Sequence, residues 1–146
     1  MLKQLKHIYL FTIATSLLVI SACSSPSSVD VQQLNGYWSI SSVELEDGTR
    51  KDFKISTTVD FIEVTDTSGV RKKVNPKLDG SFITSDNFET FLVKKIQDSI
   101  QLQYRTEFDQ WNETVLSTTD STFSVLNKDQ KIYHYKRFTP FNFKSN

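Results

Sequence analysis

The chain of 146 residues is nearly without cysteine; Cys23 is the single one. One thiol cannot form a disulfide within the chain, so any fold must be held by core packing. Glycine (four) and proline (three) are also scarce, which excludes collagen-like and Gly/Pro-rich low-complexity architectures. There are two histidines, too few for a His-rich metal centre. Neither sign of charge is in excess, with 17 basic and 17 acidic residues. Nucleic-acid binders carry a basic surplus or stripe, so a nucleic-acid partner is not expected. The longest apolar run, residues 8–20, has 13 residues, whereas a membrane-crossing helix needs about 20. What remains is 38% hydrophobic and 23% charged, the composition of one globular domain.

The first 23 residues have a graded character. Lys3 and Lys6 lie in a short basic segment, the apolar run follows, and Ile20-Ser21-Ala22-Cys23 closes it. This resembles the lipobox of bacterial lipoproteins, in which an aliphatic residue and two small residues precede a cysteine that is acylated. The resemblance implies that residues 1–22 are a removed signal peptide. It also implies that Cys23 is the lipid-bearing first residue of the mature chain, with acyl chains such as palmitate anchoring it to a membrane. Two or more such chains hold stably, at about 0.8 kcal/mol per buried CH₂. Ser24 stands where the known sorting signal for the inner membrane has Asp, which favours the outer membrane of the cell envelope. Ser24 to Ser28 is polar and is expected to be a flexible tether. Residues 23–33 read as lipidated cysteine plus tether, 34–141 as the domain and 142–146 as a tail. As a coil, residues 24–34 span about 18 Å. Loss of Lys3 and Lys6 leaves 15 basic against 17 acidic residues in the mature chain.

From residue 35 onward the pattern is period two, cut by turn signals. Strands are predicted over 37–45, 57–65, 70–74, 81–84, 88–96, 99–106, 111–118, 122–126 and 131–138. Trp38 and Ile40 share one face of the first strand, and Val43 and Leu45 follow in opposite parity, so a bulge is expected at Ser41-Ser42. Gly48, Gly69 and Gly80 are expected in turns, at Asp47-Gly48, Thr67-Ser68-Gly69 and Asp79-Gly80. A short helical turn is expected at 29–34. Eight or nine strands on short turns indicate an all-β fold: a small up-and-down antiparallel barrel, or alternatively a β-sandwich.

Asn35-Gly36-Tyr37-Trp38 opens the first strand directly after the helical turn. Here the sequence resembles the lipocalin-like domains of bacterial lipoproteins, whose mark is Gly-x-Trp at the head of the first strand. The resemblance implies that Trp38 plugs the closed end of a barrel. It also implies that Arg137, or Lys136 if the register slips by one, packs over the tryptophan ring. Gly36, Trp38 and Arg137 would then be structural. The chain departs from the family in having no clear Thr-Asp-x motif (Ser85-Asp86-Asn87 reads as a turn) and no C-terminal helix.

Other candidates are weaker. His134 is the one histidine beyond the signal, read as a surface or satisfied residue. Asp60, Glu63, Asp66, Asp109 and Glu113 show no spacing that suggests paired acid–base groups, and no enzyme, cofactor or metal is expected. The cluster Arg71-Lys72-Lys73 with Lys77 is read as edge-strand lysines that block strand pairing, ahead of a contact with anionic headgroups. Phe61, Phe91, Leu102, Tyr104 and Val125 are expected to point inward. They would either line a pocket for a small apolar ligand or fill the barrel completely. Phe108, Trp111, Phe141 and Phe143 are expected near strand ends or in the tail. Two functions follow: a carrier or sensor of a small apolar molecule, or an envelope interaction protein built on a filled barrel.

Overall fold

The computed structural model describes residues 29–84 and 86–140. The signal, Cys23, Ser85, Phe141, Phe143 and the tail lie outside the described residues. A 3₁₀ turn, Val31–Leu34, is followed by ten strands: β1 Gly36–Glu44, β2 Arg50–Asp52, β3 Val59–Thr65, β4 Ser68–Pro76, β5 Phe82–Thr84, β6 Glu89–Ile96, β7 Ser99–Arg105, β8 Gln110–Thr118, β9 Thr122–Leu126 and β10 Ile132–Arg137. All pairings are antiparallel, in the order β1-β3-β4-β6-β7-β8-β9-β10, and β10 returns to pair with β1. That last pairing closes the sheet and excludes a sandwich. Eight strands form the wall: β1, β3, β4 and β6 to β10. The two short ones fold back on the far halves of longer partners: β2 on Ser42 to Glu44 of β1, and β5 on Val74 to Pro76 of β4.

The bulge expected in β1 is present, with the register slipping between Ile40 and Ser42. It lets Ser41 donate its hydroxyl to the His134 carbonyl at 3.0 Å. The β3–β4 turn differs from expectation. Thr65 pairs with Ser68, so Asp66-Thr67 forms the hairpin tip, and Asp66 takes the left-handed conformation (φ 52°) that aspartate tolerates better than most residues. Gly69 is therefore a strand residue. A Cβ at Gly69 would run into the Phe91 ring and the Glu63 carbonyl, so the glycine serves close packing.

Alternation along each strand decides what faces the core. Trp38 pairs with Asp60, and Gly36 with Ile62. Asp60, Ile62 and Val64 thus point inward on β3, and Phe61 points outward. This corrects the expectation for Phe61. Its ring instead joins Tyr37 (centroids 4.9 Å apart) on the outer wall. Tyr37 in turn stacks on Phe82 at 4.4 Å. Inside, Leu34, Trp38, Ile62, Val64, Phe91, Leu102, Tyr104, Val115, Phe123, Val125 and Tyr135 form one buried cluster. Phe123 meets Trp38 edge-on at 4.7 Å and stacks on Tyr135 at 4.3 Å. Rings in contact contribute about 0.5–1.5 kcal/mol per pair beyond the area they bury. Phe91, Leu102, Tyr104 and Val125 are all inside this cluster, each no more than 2% exposed.

Candidate functional site

The two ends of the barrel differ in chemistry. At one end the Val31–Leu34 turn crosses beneath Trp38. The indole Nε1 donates to the Leu34 carbonyl at 2.7 Å, which satisfies the one polar atom of a fully buried ring. Arg137 lies over the other side of that ring, its guanidinium carbon 3.9 Å from the ring centroid. Its Nη1 donates to the Asn35 carbonyl at 2.7 Å, Nη2 to the Gln33 carbonyl at 3.3 Å, and Nε to the Asp120 carbonyl at 2.8 Å. A cation on an indole face and three carbonyl acceptors hold it. Gly36 sits at φ 123°, and a Cβ there would overlap Arg137 Nη1. Glycine is thus needed twice over, for conformation and for space. Lys136 faces outward in the neighbouring register, opposite Ser39.

The turn that feeds this plug is itself fastened. Asp30 caps it by accepting from the Gln32 amide at 2.9 Å, and the Asp30 amide donates to Thr118 Oγ1 at 3.0 Å. Val29 and Val31 pack on the core. Residues from Val29 onward therefore belong to the folded base, which corrects the expectation of a loose tether up to residue 33.

The opposite end is open and its floor is charged. Arg71 on β4 points inward, because Ile62 is its partner on β3, and it is 8% exposed. Its Nε donates to Glu89 Oε2 at 2.7 Å, and its Nη1 to Glu113 Oε2 at 3.1 Å and Oε1 at 3.3 Å. Its guanidinium carbon lies 4.3 Å from the Tyr104 ring centroid. Burial disfavours the Arg71 charge, yet Tyr104, Glu113, Tyr135 and Glu89 more than offset that and hold its pKa well above the ordinary value. Burial likewise pushes the Tyr104 and Tyr135 phenols well above their usual range. Lys73 also faces inward and forms an ion pair with Asp60. Asp60 is 2% exposed, and neither of its oxygens has a well-directed hydrogen bond; nor does the Tyr104 hydroxyl. The sequence pattern missed this site. Arg71 and Lys73 are strand residues of inward parity and Lys72 is not. β4 pairs with β6 over Ser68 to Arg71 and with β5 over Val74 to Pro76, so the edge-strand reading is corrected for Arg71, while Lys72 and Lys73 lie between the two pairings.

Above the floor is an opening of about 600 Å³ lined by Arg71, Lys73, Glu89, Phe88, Thr106 and Phe108 among others. Phe88 is 56% exposed and Phe108 91%. Trp111 lies just inside and stacks on Tyr104 at 5.0 Å. A larger depression of about 860 Å³ spreads over the outer wall from Glu63 and Thr65 to Arg105 and Asn112. That surface is open, and its Glu, Thr, Gln and Arg side chains already meet solvent. The mouth opening reaches the buried Arg71 and its ion pair with Glu89, and so is the better candidate. Glu63, Asp66 and Asp109 are exposed. His134 faces away from the core, its Nε2 3.9 Å from Glu44 Oε2. Among the described residues no group of three or more metal-ligating side chains occurs.

Fold and site together define a closed, eight-stranded, up-and-down antiparallel barrel with a tryptophan-plugged base and a charged mouth. The chain is similar in structure to a lipocalin-like protein from Bacteroides uniformis, at 12% sequence identity and a TM-score of 0.46, over 73% of this chain and 99% of that one. No family model matches the chain, and no curated protein matches it in sequence.

Proposed function

We propose that this protein is a lipid-anchored, lipocalin-like binding protein of the bacterial cell envelope, non-catalytic, that takes a small ligand with an apolar body at the barrel mouth. The observation that carries the reading is the opening of about 600 Å³, a volume within the roughly 300–1,000 Å³ of ligand pockets. It lies over the Arg71 cluster and under two exposed phenyl rings. The packed half of the barrel near Trp38 leaves the mouth as the place for a ligand. The lipobox at Ile20 to Cys23 supports the anchor, and Ser24 supports the outer membrane. Five residues, 24–28, then separate Cys23 from the folded base at Val29. An anchor at Cys23, so near the base in sequence, would turn the closed base to the membrane and the mouth away from it.

Two measurements test this. Growth with an alkyne fatty acid should label the protein, and Cys23→Ala should abolish the label; an unlabelled wild type would refute the anchor. Native mass spectrometry of the full chain taken from membranes should show a bound small molecule that Phe108→Ala weakens. A second reading, an envelope interaction protein with a filled barrel, is favoured by the aromatic stack of Tyr37, Phe61 and Phe82 on the outer wall. It would gain if no small molecule is found.

A further inference from the structure

We infer that copies of this chain bind one another, with Phe108 of one copy entering a small lysine-rimmed pocket on the outer wall of the next. This goes beyond ligand binding at the mouth and does not depend on it. Both halves of the contact are present on one chain. The first is a knob at the tip of the β7–β8 hairpin. Phe108 is 91% exposed, and its turn is closed. The Thr106 amide donates to the Asp109 carbonyl at 2.9 Å. Thr106 Oγ1 accepts from the Phe108 amide at 3.3 Å and from the Asp109 amide at 3.0 Å. A fixed turn thus holds the ring out in water, so docking has little left to order. Glu107 and Asp109 flank the ring, and both are exposed. Asp109 meets only Lys128, at 3.8 Å, and Glu107 has no ion pair among the described residues.

The second half is a pocket of about 210 Å³ on the outer wall, lined by Ser39, Ile40, residues 53–56 and residues 136–139. It is smaller than the roughly 300–1,000 Å³ of small-molecule pockets, and suits one side chain better than a ligand. Phe53, Ile55 and Phe138 supply apolar surface, and Lys54 and Lys136 stand at its rim. Both lysines are exposed, and neither has a carboxylate partner among the described residues. Lys51 adds a positive charge beside them, 5.5 Å from the Phe53 ring centroid. An aromatic ring flanked by carboxylates therefore matches an apolar pocket flanked by ammonium groups. A buried aromatic anchor with complementary charge around it is the arrangement that gives protein interfaces their affinity and their choice of partner. Knob and pocket are different surfaces, so the contact is heterologous, and a row of copies can grow past two.

The test places the photo-crosslinker benzoylphenylalanine at position 108 in cells making the full chain. Irradiation should give covalent dimers, trimers and higher multiples. Peptide mapping should find the link within residues 53–56 or 136–139 of a second copy. Glu107→Lys should lower the yield about ten-fold, as should Lys54→Glu with Lys136→Glu, since each sets like charges together. All three substitutions in one chain should restore most of it. The two lysine positions lie outside the mouth, so loss of crosslinking in that variant is separate from any change in ligand binding. Three results would overturn the contact: links only to other proteins, a dimer joined through position 108 on both copies, or a yield indifferent to the charge reversals.

Discussion

Arg71 shows how much a single side chain can hold together. It pairs with two glutamates from β6 and β8 and covers the ring of a tyrosine from β7. Arg71→Met should destabilise the fold by about 3–5 kcal/mol, because it leaves Glu113 charged and buried without a partner. Adding Glu113→Gln to that variant should recover a good part of the loss. Tyr104→Phe should be neutral or stabilising by up to about 1 kcal/mol, since the hydroxyl it removes has no partner. Urea denaturation of the four chains measures all of this, and an Arg71→Met loss under about 1 kcal/mol would contradict the account. Little of this was legible in the sequence. Arg71, Lys72 and Lys73 look alike as neighbours, and only strand register separates the two that enter the barrel from the one that does not. The Trp38–Arg137 contact was legible because Gly36 and Trp38 at a strand head form a local pattern, and the resemblance it suggested implied a late arginine over the ring.

At the level of elements, the short turns made the barrel readable. Gln97-Asp98 joins β6 to β7 in two residues, with Gln97 at φ 55°, and such tight turns force antiparallel neighbours. What the sequence hid was the inside–outside phase of β3. Both of its faces carry apolar residues and one carboxylate each: Val59, Phe61 and Glu63 against Asp60, Ile62 and Val64. The partner strand settles the phase, through Trp38 opposite Asp60. Gly69 was misread for a related reason. Next to Thr67 and Ser68 it looks like turn chemistry, while the cause of its smallness, the Phe91 ring, is 22 positions away in the chain. Gly69→Val should therefore cost about 1–3 kcal/mol by overpacking, and Phe91→Leu in the same chain should return part of it. Thermal melts of the two variants decide this. Additive losses would mean that glycine and ring do not meet.

For the molecule as a whole, the buried phenols set a limit on the alkaline side. Tyr104 and Tyr135 are pushed up by burial when folded, and an unfolded tyrosine releases its proton near pH 10. Below about pH 10 both states hold these protons, and the contribution to stability is intact. As pH rises through 10 the unfolded chain loses them first, so stability should fall, by up to about 1.4 kcal/mol per pH unit for each of the two. Urea midpoints between pH 8 and 11 should decline accordingly. The Tyr104 and Tyr135 phenolates should become visible in absorbance only as the fold is lost, and Tyr135→Phe should make the decline shallower.

The pairing of β1 with β10 sets the order in which such a molecule can come into being. Arg137 reaches back 102 positions to the Asn35 carbonyl, so although β1 pairs with β2 and β3 on one side, its other edge and its tryptophan wait for nearly the entire chain before they have a partner and a cover. Contacts this distant are slow to find. Until they form, the growing sheet exposes two unpaired edges of the kind that recruit other chains. A polypeptide stopped before Ile132 would have no smaller barrel to fall back on, because neither β9 nor β1 has another strand of its own to pair with there. The protein is thus completed in one late event, and its vulnerable period is the whole interval between the emergence of β1 and the arrival of its last strand.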